Sequence, residues 1–168
     1  MSIQAAIIDI DMTLVDSSIS ENTRKQRNWS SVYSQIPEYF IHPQILRMMT
    51  GLRDKRIKIA IVSSSPRPYC ERVLSHFQIP YDALVAYHDT QQHKPYPQPF
   101  QKALALINSD PTCCLSLGDD LKDIVAAKST GIGLNVGCVW YIDNTKELIS
   151  SGVDMILTTP IEVLSLIN

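Results

Sequence analysis

Five short, mostly apolar runs, the first with the β-branched content of a buried strand, set the frame for this chain, because of what stands at their ends. Ile3 to Ile8 stops on Asp9, Ile57 to Val62 on Ser63, Cys113 to Leu117 on Gly118-Asp119 and Ile132 to Val136 on Gly137, while Ala83 to Ala86 leads toward His88. Runs of this length and composition are buried strands. Between them the apolar period lengthens to that of helices: Ile41, Ile45, Met48, Met49 and Leu52 form one stripe, with Pro43 suited to a first helical turn. Tyr69, Val73 and Phe77 form a second, Phe100, Leu104 and Ile107 a third, and Leu121, Ile124 and Val125 a fourth. The tail adds Leu148 to Ile149, the short run Met155 to Leu157 and a last helix from Ile161 to Ile167. Strands alternating with helices specify an α/β fold of three layers, with a central, mostly parallel sheet covered on both faces.

At 168 residues, 45% hydrophobic and 19% charged, the chain is expected to be a single soluble domain, 1–168. No apolar run approaches the roughly 20 residues of a membrane span, and the first residues lack the basic start of a secretory signal, so a cytoplasmic address is the expectation. Cys70, Cys113, Cys114 and Cys138 follow no zinc or disulfide spacing and read as small buried hydrophobes.

The irregular stretch runs from Asp16 to His42. It holds Ser18-Ile19-Ser20-Glu21, which fits a capping box, and Trp29, Val32, Tyr33 and Ile36 at helical spacing before Pro37. The pattern predicts a loop and one short amphipathic helix inserted after the first strand, its aromatics packed downward. Residues 24–58 carry eight basic and two acidic side chains against an overall charge of −2. Lys55, Arg56 and Lys58 precede the second strand and so belong at the far end of the sheet. Only Arg24, Lys25 and Arg27 fall near its mouth, where they either guide an anion or form a solvated helix face. Support for a nucleic-acid partner is therefore weak.

Ligands of open parallel sheets bind beyond the carboxyl ends of the strands. Asp9, Asp11, Ser63, Asp119 and Asp123 all fall there, and Lys94, before Pro95, is within reach. Four carboxylates at one edge repel unless a cation neutralises them, and a hard, oxygen-only ligand set suits Mg²⁺. Lys94 and the Ser63 hydroxyl complement a dianionic phosphoryl group. Position alone thus points to metal-assisted phosphoryl transfer.

The segment Asp9-Ile10-Asp11-Met12-Thr13-Leu14-Val15-Asp16 resembles the first motif of the haloacid dehalogenase-like superfamily, Asp-x-Asp-x-Thr. Ser63 matches its second motif, Lys94 in Lys94-Pro95-Tyr96-Pro97 its third, and Gly118-Asp119-Asp120-Leu121-Lys122-Asp123 its fourth. Ala126-Ala127-Lys128-Ser129-Thr130-Gly131-Ile132 and Gly152-Val153-Asp154 also look like phosphoglycolate-phosphatase-type members.

The resemblance implies a Rossmann-like domain with a minimal cap insert at 17–42, and a Mg²⁺-dependent phosphomonoester phosphatase. Asp9 would be the nucleophile that forms an aspartyl-phosphate, and Asp11 the general acid and then base. Mg²⁺ would be held by Asp9, the backbone carbonyl of Asp11, Asp119 and a further fourth-motif acid, Asp123 or Asp120. Ser63, Ser64 and Lys94 would hold the phosphoryl group. Bland roles compete: Thr13 orders the turn, Asp120 serves the helix dipole, His88 and His93 are solvated loop residues, and Ser64 and Ser65 cap a helix.

So small an insert leaves the site open. A small phosphorylated metabolite is the expected substrate, with a macromolecular phosphoester or a neighbouring subunit acting as lid as the other readings, and oligomerisation is left open. A phosphomutase would want a larger cap, and halide release would not need Asp11. A receiver-like phosphoacceptor module is the alternative from another class, but its phosphoacceptor ends a later strand, an order that Asp9-x-Asp11-x-Thr13 fits poorly.

Overall fold

The computed structural model describes residues 2–167. Its strands are β1 (Ala5–Ile8), β2 (Lys58–Val62), β3 (Ala83–Val85), β4 (Cys114–Gly118), β5 (Leu134–Cys138) and β6 (Met155–Leu157). They form one sheet in the order β3-β2-β1-β4-β5-β6. Each neighbouring pair is parallel. The chain builds outward from β1 to β3 and then returns to the other side of β1 to add β4. The carboxyl ends of β1 and β4 therefore flank the point where the winding reverses, the place where such sheets leave a crevice.

The helices are α1 (Glu21–Lys25), α2 (Trp29–Gln35), α3 (Ile45–Asp54), α4 (Arg67–His76), α5 (Gln98–Ile107), α6 (Leu121–Thr130) and α7 (Thr145–Ser150). Alternate strand residues face opposite layers, as a pleated strand requires. Ala5, Ile7, Ala60 and Val62 pack with Phe100, Ala103, Leu104 and Ile107 of α5 and with Ala126 and Ala127 of α6. Ala6, Ile8, Ile59 and Ile61 pack on the other face with Met48, Met49 and Leu52 of α3, with Tyr69 and Val73 of α4, and with Val32 and Ile36 of the insert. Each large side chain buried this way contributes about 1.5–3 kcal/mol relative to exposure, so both layers hold the sheet ends in place.

Several local expectations need correction. The insert contains two short helices rather than one, because Arg27 takes a left-handed conformation (φ 55°) and Asn28 then caps α2 by accepting from the Ser31 N–H at 3.3 Å. The capping box at Ser18 does not form: 18–20 is a 3₁₀ turn whose Ser18 N–H donates to Asp16, and Glu21 pairs with Lys25 instead. Pro43 lies in the turn before α3, whose first residue is Ile45. The last helix is a 3₁₀ segment, Pro160–Leu166. The fifth run starts its strand at Leu134, since the Ile132 N–H is spent on the Ala127 carbonyl beyond the left-handed Gly131 that ends α6. Met155–Leu157 becomes the sixth strand. An antiparallel bridge between Asp16 and Phe40 closes the base of the insert.

Candidate active site

The loop after β1 turns sharply, with the N–H groups of Thr13, Leu14 and Val15 all directed at the Ile10 carbonyl and Met12 in the left-handed region at φ 61°. A non-glycine residue is held there only when its surroundings demand it. Trp140 Nε1 donates to the Thr13 carbonyl at 2.8 Å and Tyr141 OH to the Leu14 carbonyl at 3.0 Å, so the loop beyond β5 fastens the turn. The outcome is that Asp9 and Asp11, two residues apart, serve different neighbourhoods.

Asp9 joins Asp119 and Asp123, one oxygen of each lying within 4.8 Å of the others. Lys94 Nζ donates to Asp9 Oδ1 at 2.9 Å, to Asp123 Oδ1 at 2.6 Å and to the Val62 carbonyl at 3.2 Å, with its side chain 7% exposed. Thr13, fully buried, donates to Asp119 Oδ1 at 3.1 Å and so orients that carboxylate as well as the turn. Asp123 Oδ2 accepts from the N–H groups of Asp119 and Asp120 at 3.2 and 3.3 Å, which ties the loop after β4 to α6. Gly118 is required for this approach: a Cβ there would lie 2.4 Å from that of Asp123.

Asp120 stands apart from the cluster. Its Oδ1 accepts from the N–H groups of Lys122 and Asp123 at 2.8 and 3.1 Å, the geometry of a helix N-cap. Replacing Asp120 by Ala is accordingly expected to cost about 1 kcal/mol of stability while leaving any activity within a few-fold of wild type. Urea unfolding beside steady-state rates checks this, and a loss of activity as deep as that of Asp119→Asn would return Asp120 to the site.

Electrostatics follow from the crowding. Burial first, offset by Lys94 and then reinforced by Asp123, Asp119 and Asp11, pushes the Asp9 carboxyl well above the usual range. Burial and the Asp123 charge push Asp119 up to about 7. Burial likewise raises Asp123, although Lys94 opposes it. Burial works against the Lys94 charge, but Asp123 and Asp9 together outweigh it and raise the ammonium pKa. Three carboxylates thus share one ammonium, an imbalance that invites a further cation.

The Asp11 carboxylate lies outside this group. Ser17 Oγ and Tyr69 OH each donate to its Oδ1 at 2.6 Å, while Arg24 Nη1 lies 3.1 Å and Ser65 Oγ 3.4 Å from its Oδ2. Asp9, Asp11, Ser63, Ser64, Lys94, Asp119 and the insert residues Arg24, Lys25 and Arg27 all line one cleft of about 790 Å³. Ser63 is buried at the end of β2, its Oγ accepting from the Ser65 N–H at 3.1 Å, whereas Ser64 is exposed at the cleft wall. His88 also lines the cleft, and His93 is stacked on Tyr87 at 4.0 Å. Three other basic residues of the 24–58 stretch serve elsewhere: Arg53 pairs with Asp82 at 2.7 Å, Lys55 donates to the Ile167 carbonyl and Lys58 to that of Ile107.

Sequence reasoning missed Ser17, Tyr69 and Asn144, whose Nδ2 donates to the Asp119 carbonyl at 3.0 Å. Tyr69 carried a usable signal, since a tyrosine in a core stripe needs a partner for its hydroxyl. Nothing comparable distinguishes Ser17 or Asn144.

A model of haloacid dehalogenase-like hydrolases matches residues 18–136, a stretch that includes Ser63, Lys94, Asp119 and Asp123 and begins after Asp9 and Asp11. A PpaX-named relative from Caldanaerobacter subterraneus subsp. tengcongensis is 36% identical over 104 residues, covering 61% of this chain and 47% of the relative. Pyrophosphatase PpaX of Bacillus pumilus is 27% identical over 129 residues, covering 74% of this chain and 58% of its own length. The chain thus spans about half the length of the curated relatives it matches. A solved structure from Lactobacillus plantarum carrying a phosphoglycolate phosphatase name superposes with TM-score 0.85 at 20% identity, over 99% of this chain and all of that one, and so shares its fold. With most of its length matched by the family model and its acids gathered at the switch point of the sheet, the chain belongs to the haloacid dehalogenase-like hydrolase family.

Proposed function

We propose that this chain is a Mg²⁺-dependent phosphatase that passes through a phosphorylated Asp9. The observation that carries the reading is the convergence of Asp9, Asp119 and Asp123 on one point with Lys94 between them. The donor set fits Mg²⁺: it offers only hard oxygens, it is buried, and its three carboxylates outnumber its single ammonium. Asp9 and Asp119 would hold the ion, with Asp123 completing the charge. When bound it would neutralise the phosphoryl oxygens.

The chain's own residues supply the rest. An oxygen of Asp9 attacks phosphorus, the bond to the leaving oxygen breaks, and Asp11 gives that oxygen a proton. A water then attacks the phosphorus on Asp9, Asp11 takes its proton, and the bond between phosphorus and the Asp9 oxygen breaks to release phosphate. Ser63, Ser64 and Lys94 would hold the transferring group, and Lys94 on Oδ1 keeps the Asp9 carboxylate in one orientation. The PpaX name of the relatives makes inorganic pyrophosphate the first substrate to try and phosphoglycolate the second. Steady-state hydrolysis of these two, p-nitrophenyl phosphate, a nucleotide and a phosphopeptide, with and without Mg²⁺, tests the reading. Magnesium-dependent turnover supports it, and no turnover across the panel overturns it.

The cluster also predicts a pH dependence. Asp119 has a folded-state pKa of about 7, above the unfolded value near 4. The native state therefore binds the extra proton, and its contribution to stability is present below about pH 4 and lost as pH rises through about 7. Metal-free wild type should lose melting temperature relative to Asp119→Asn between about pH 5 and pH 8. Added Mg²⁺ should restore it in wild type. Parallel curves for the two proteins would remove the raised carboxyl.

A further inference from the structure

Three basic residues of the insert line the cleft, and their settings differ. Lys25 pairs with Glu21 at 2.5 Å with both side chains mostly exposed, an arrangement worth little. Arg27 is exposed and forms no ion pair among the described residues. Arg24 alone is built into the site, its side chain 18% exposed against 17% for Asp11.

Its guanidinium works as a fork. Nη1 lies 3.1 Å from Asp11 Oδ2, and Nη2 donates at 3.0 Å to Ser17 Oγ, which in turn donates to Asp11 Oδ1 at 2.6 Å. Guanidinium, hydroxyl and carboxylate close a ring, so both oxygens of Asp11 are fixed from the insert side. Below it, the Tyr69 ring lies 5.8 Å from the guanidinium carbon and its hydroxyl takes Asp11 Oδ1, with Tyr39 OH 3.3 Å further on and itself bonded to Ser20. Ser17 and Ser20 are fully buried. Ordering a long arginine costs rotamer entropy, a cost offset only where several contacts share it, as they do here. The Asp16–Phe40 bridge holds the base of the segment that carries Arg24.

We propose that Arg24 is the positioning residue for Asp11, and that the short insert acts in the reaction by holding this carboxylate in place. The proposal rests on the phosphatase reading for Asp11's role, while the pairing itself stands on geometry. Without the fork, Asp11 Oδ1 keeps Ser17 and Tyr69, but Oδ2 is left to the 3.4 Å contact of Ser65 and Ser17 loses the donor that holds its hydroxyl. The carboxylate is then freer to turn about its side-chain bonds, and misorientation of an acid-base group is expensive.

The test is a double-mutant cycle with Arg24→Met, Asp11→Asn and the double variant, plus Arg24→Lys. Each is assayed on p-nitrophenyl phosphate with Mg²⁺ and unfolded in urea. Arg24→Met should lower kcat about 10- to 100-fold with KM within about threefold, and Arg24→Lys should recover part of kcat, since an ammonium makes one of the two contacts. In the Asp11→Asn background the Arg24→Met change should slow the enzyme no further. A rise in KM at unchanged kcat, or a full second loss in that background, would make Arg24 a substrate contact and overturn the proposal.

The unfolding cycle reads the same pair without turnover. The two changes should be non-additive by about tenfold in the unfolding equilibrium constant. Additivity there overturns the pairing. Should wild type hydrolyse nothing, the phosphatase reading fails and the unfolding cycle still decides whether Arg24 holds Asp11.

Discussion

Asp9→Asn is expected to leave a folded protein whose turnover falls by roughly ten-thousand-fold or more, the scale of removing a covalent nucleophile from a cooperating set. An amide oxygen is a poor nucleophile toward phosphorus, and the phosphoryl group would have no acceptor on the enzyme. The fold should not suffer. Asp9 is one of three carboxylates crowded around a single ammonium, and its ionised form is destabilised first by burial, against the pull of Lys94, and then by the neighbouring carboxylates. Removing one negative charge lessens that repulsion, and Lys94 keeps its 2.6 Å contact to Asp123. The melting temperature without Mg²⁺ should therefore hold or rise. Rates on the best substrate of the panel, with melting curves of both proteins, check the two halves of the expectation. Retained turnover would place the nucleophile elsewhere, and collapse of the fold would mean that Asp9 is held mainly by favourable contacts.

How far the molecule could be read from its residues depended on what kind of signal each part carries. The sheet was legible because β1, β2, β4 and β5 lie in mostly apolar runs, and because the stops after β1, β2 and β4 locate the carboxyl ends of those strands. Asp9, Ser63 and Asp119 came with them. Asp120 and Asp123 were harder: adjacent spacings at a helix start fit either acid, and only the Asp120 bonds to the Lys122 and Asp123 N–H groups separate the cap from the cluster. Tyr69 was read as core, which it is, since hydrophobic period says nothing about where a hydroxyl points. The insert was least legible. A helix as short as α1 has no period to read, so Arg24, Lys25 and Arg27 look equivalent until the left-handed turn at Arg27 and the ring through Ser17 tell them apart.

Lys94→Met should be the most damaging change to the protein without metal. Lys94 is 7% exposed and joins the loop before α5 to β1 and α6 through Asp9 and Asp123, and to β2 through the Val62 carbonyl. Removing one partner from a buried ionic cluster costs about 3–5 kcal/mol, because the carboxylates left behind face each other without a cation. Part of that cost is avoidable: Asp119 already titrates near 7 and can take a proton. The loss should therefore shrink as pH falls below about 6, and Mg²⁺ should offset it further, through mass action on the folded state. Asp9→Asn in the same background should also restore stability, since it removes one of the unpaired charges. Urea unfolding of Lys94→Met at two pH values, with and without Mg²⁺, gives the measurement. A loss that ignores pH, metal and Asp9→Asn alike would mean that Lys94 acts by packing its aliphatic stem. A loss that each of them reduces would identify the ammonium as the cation around which this acid cluster folds.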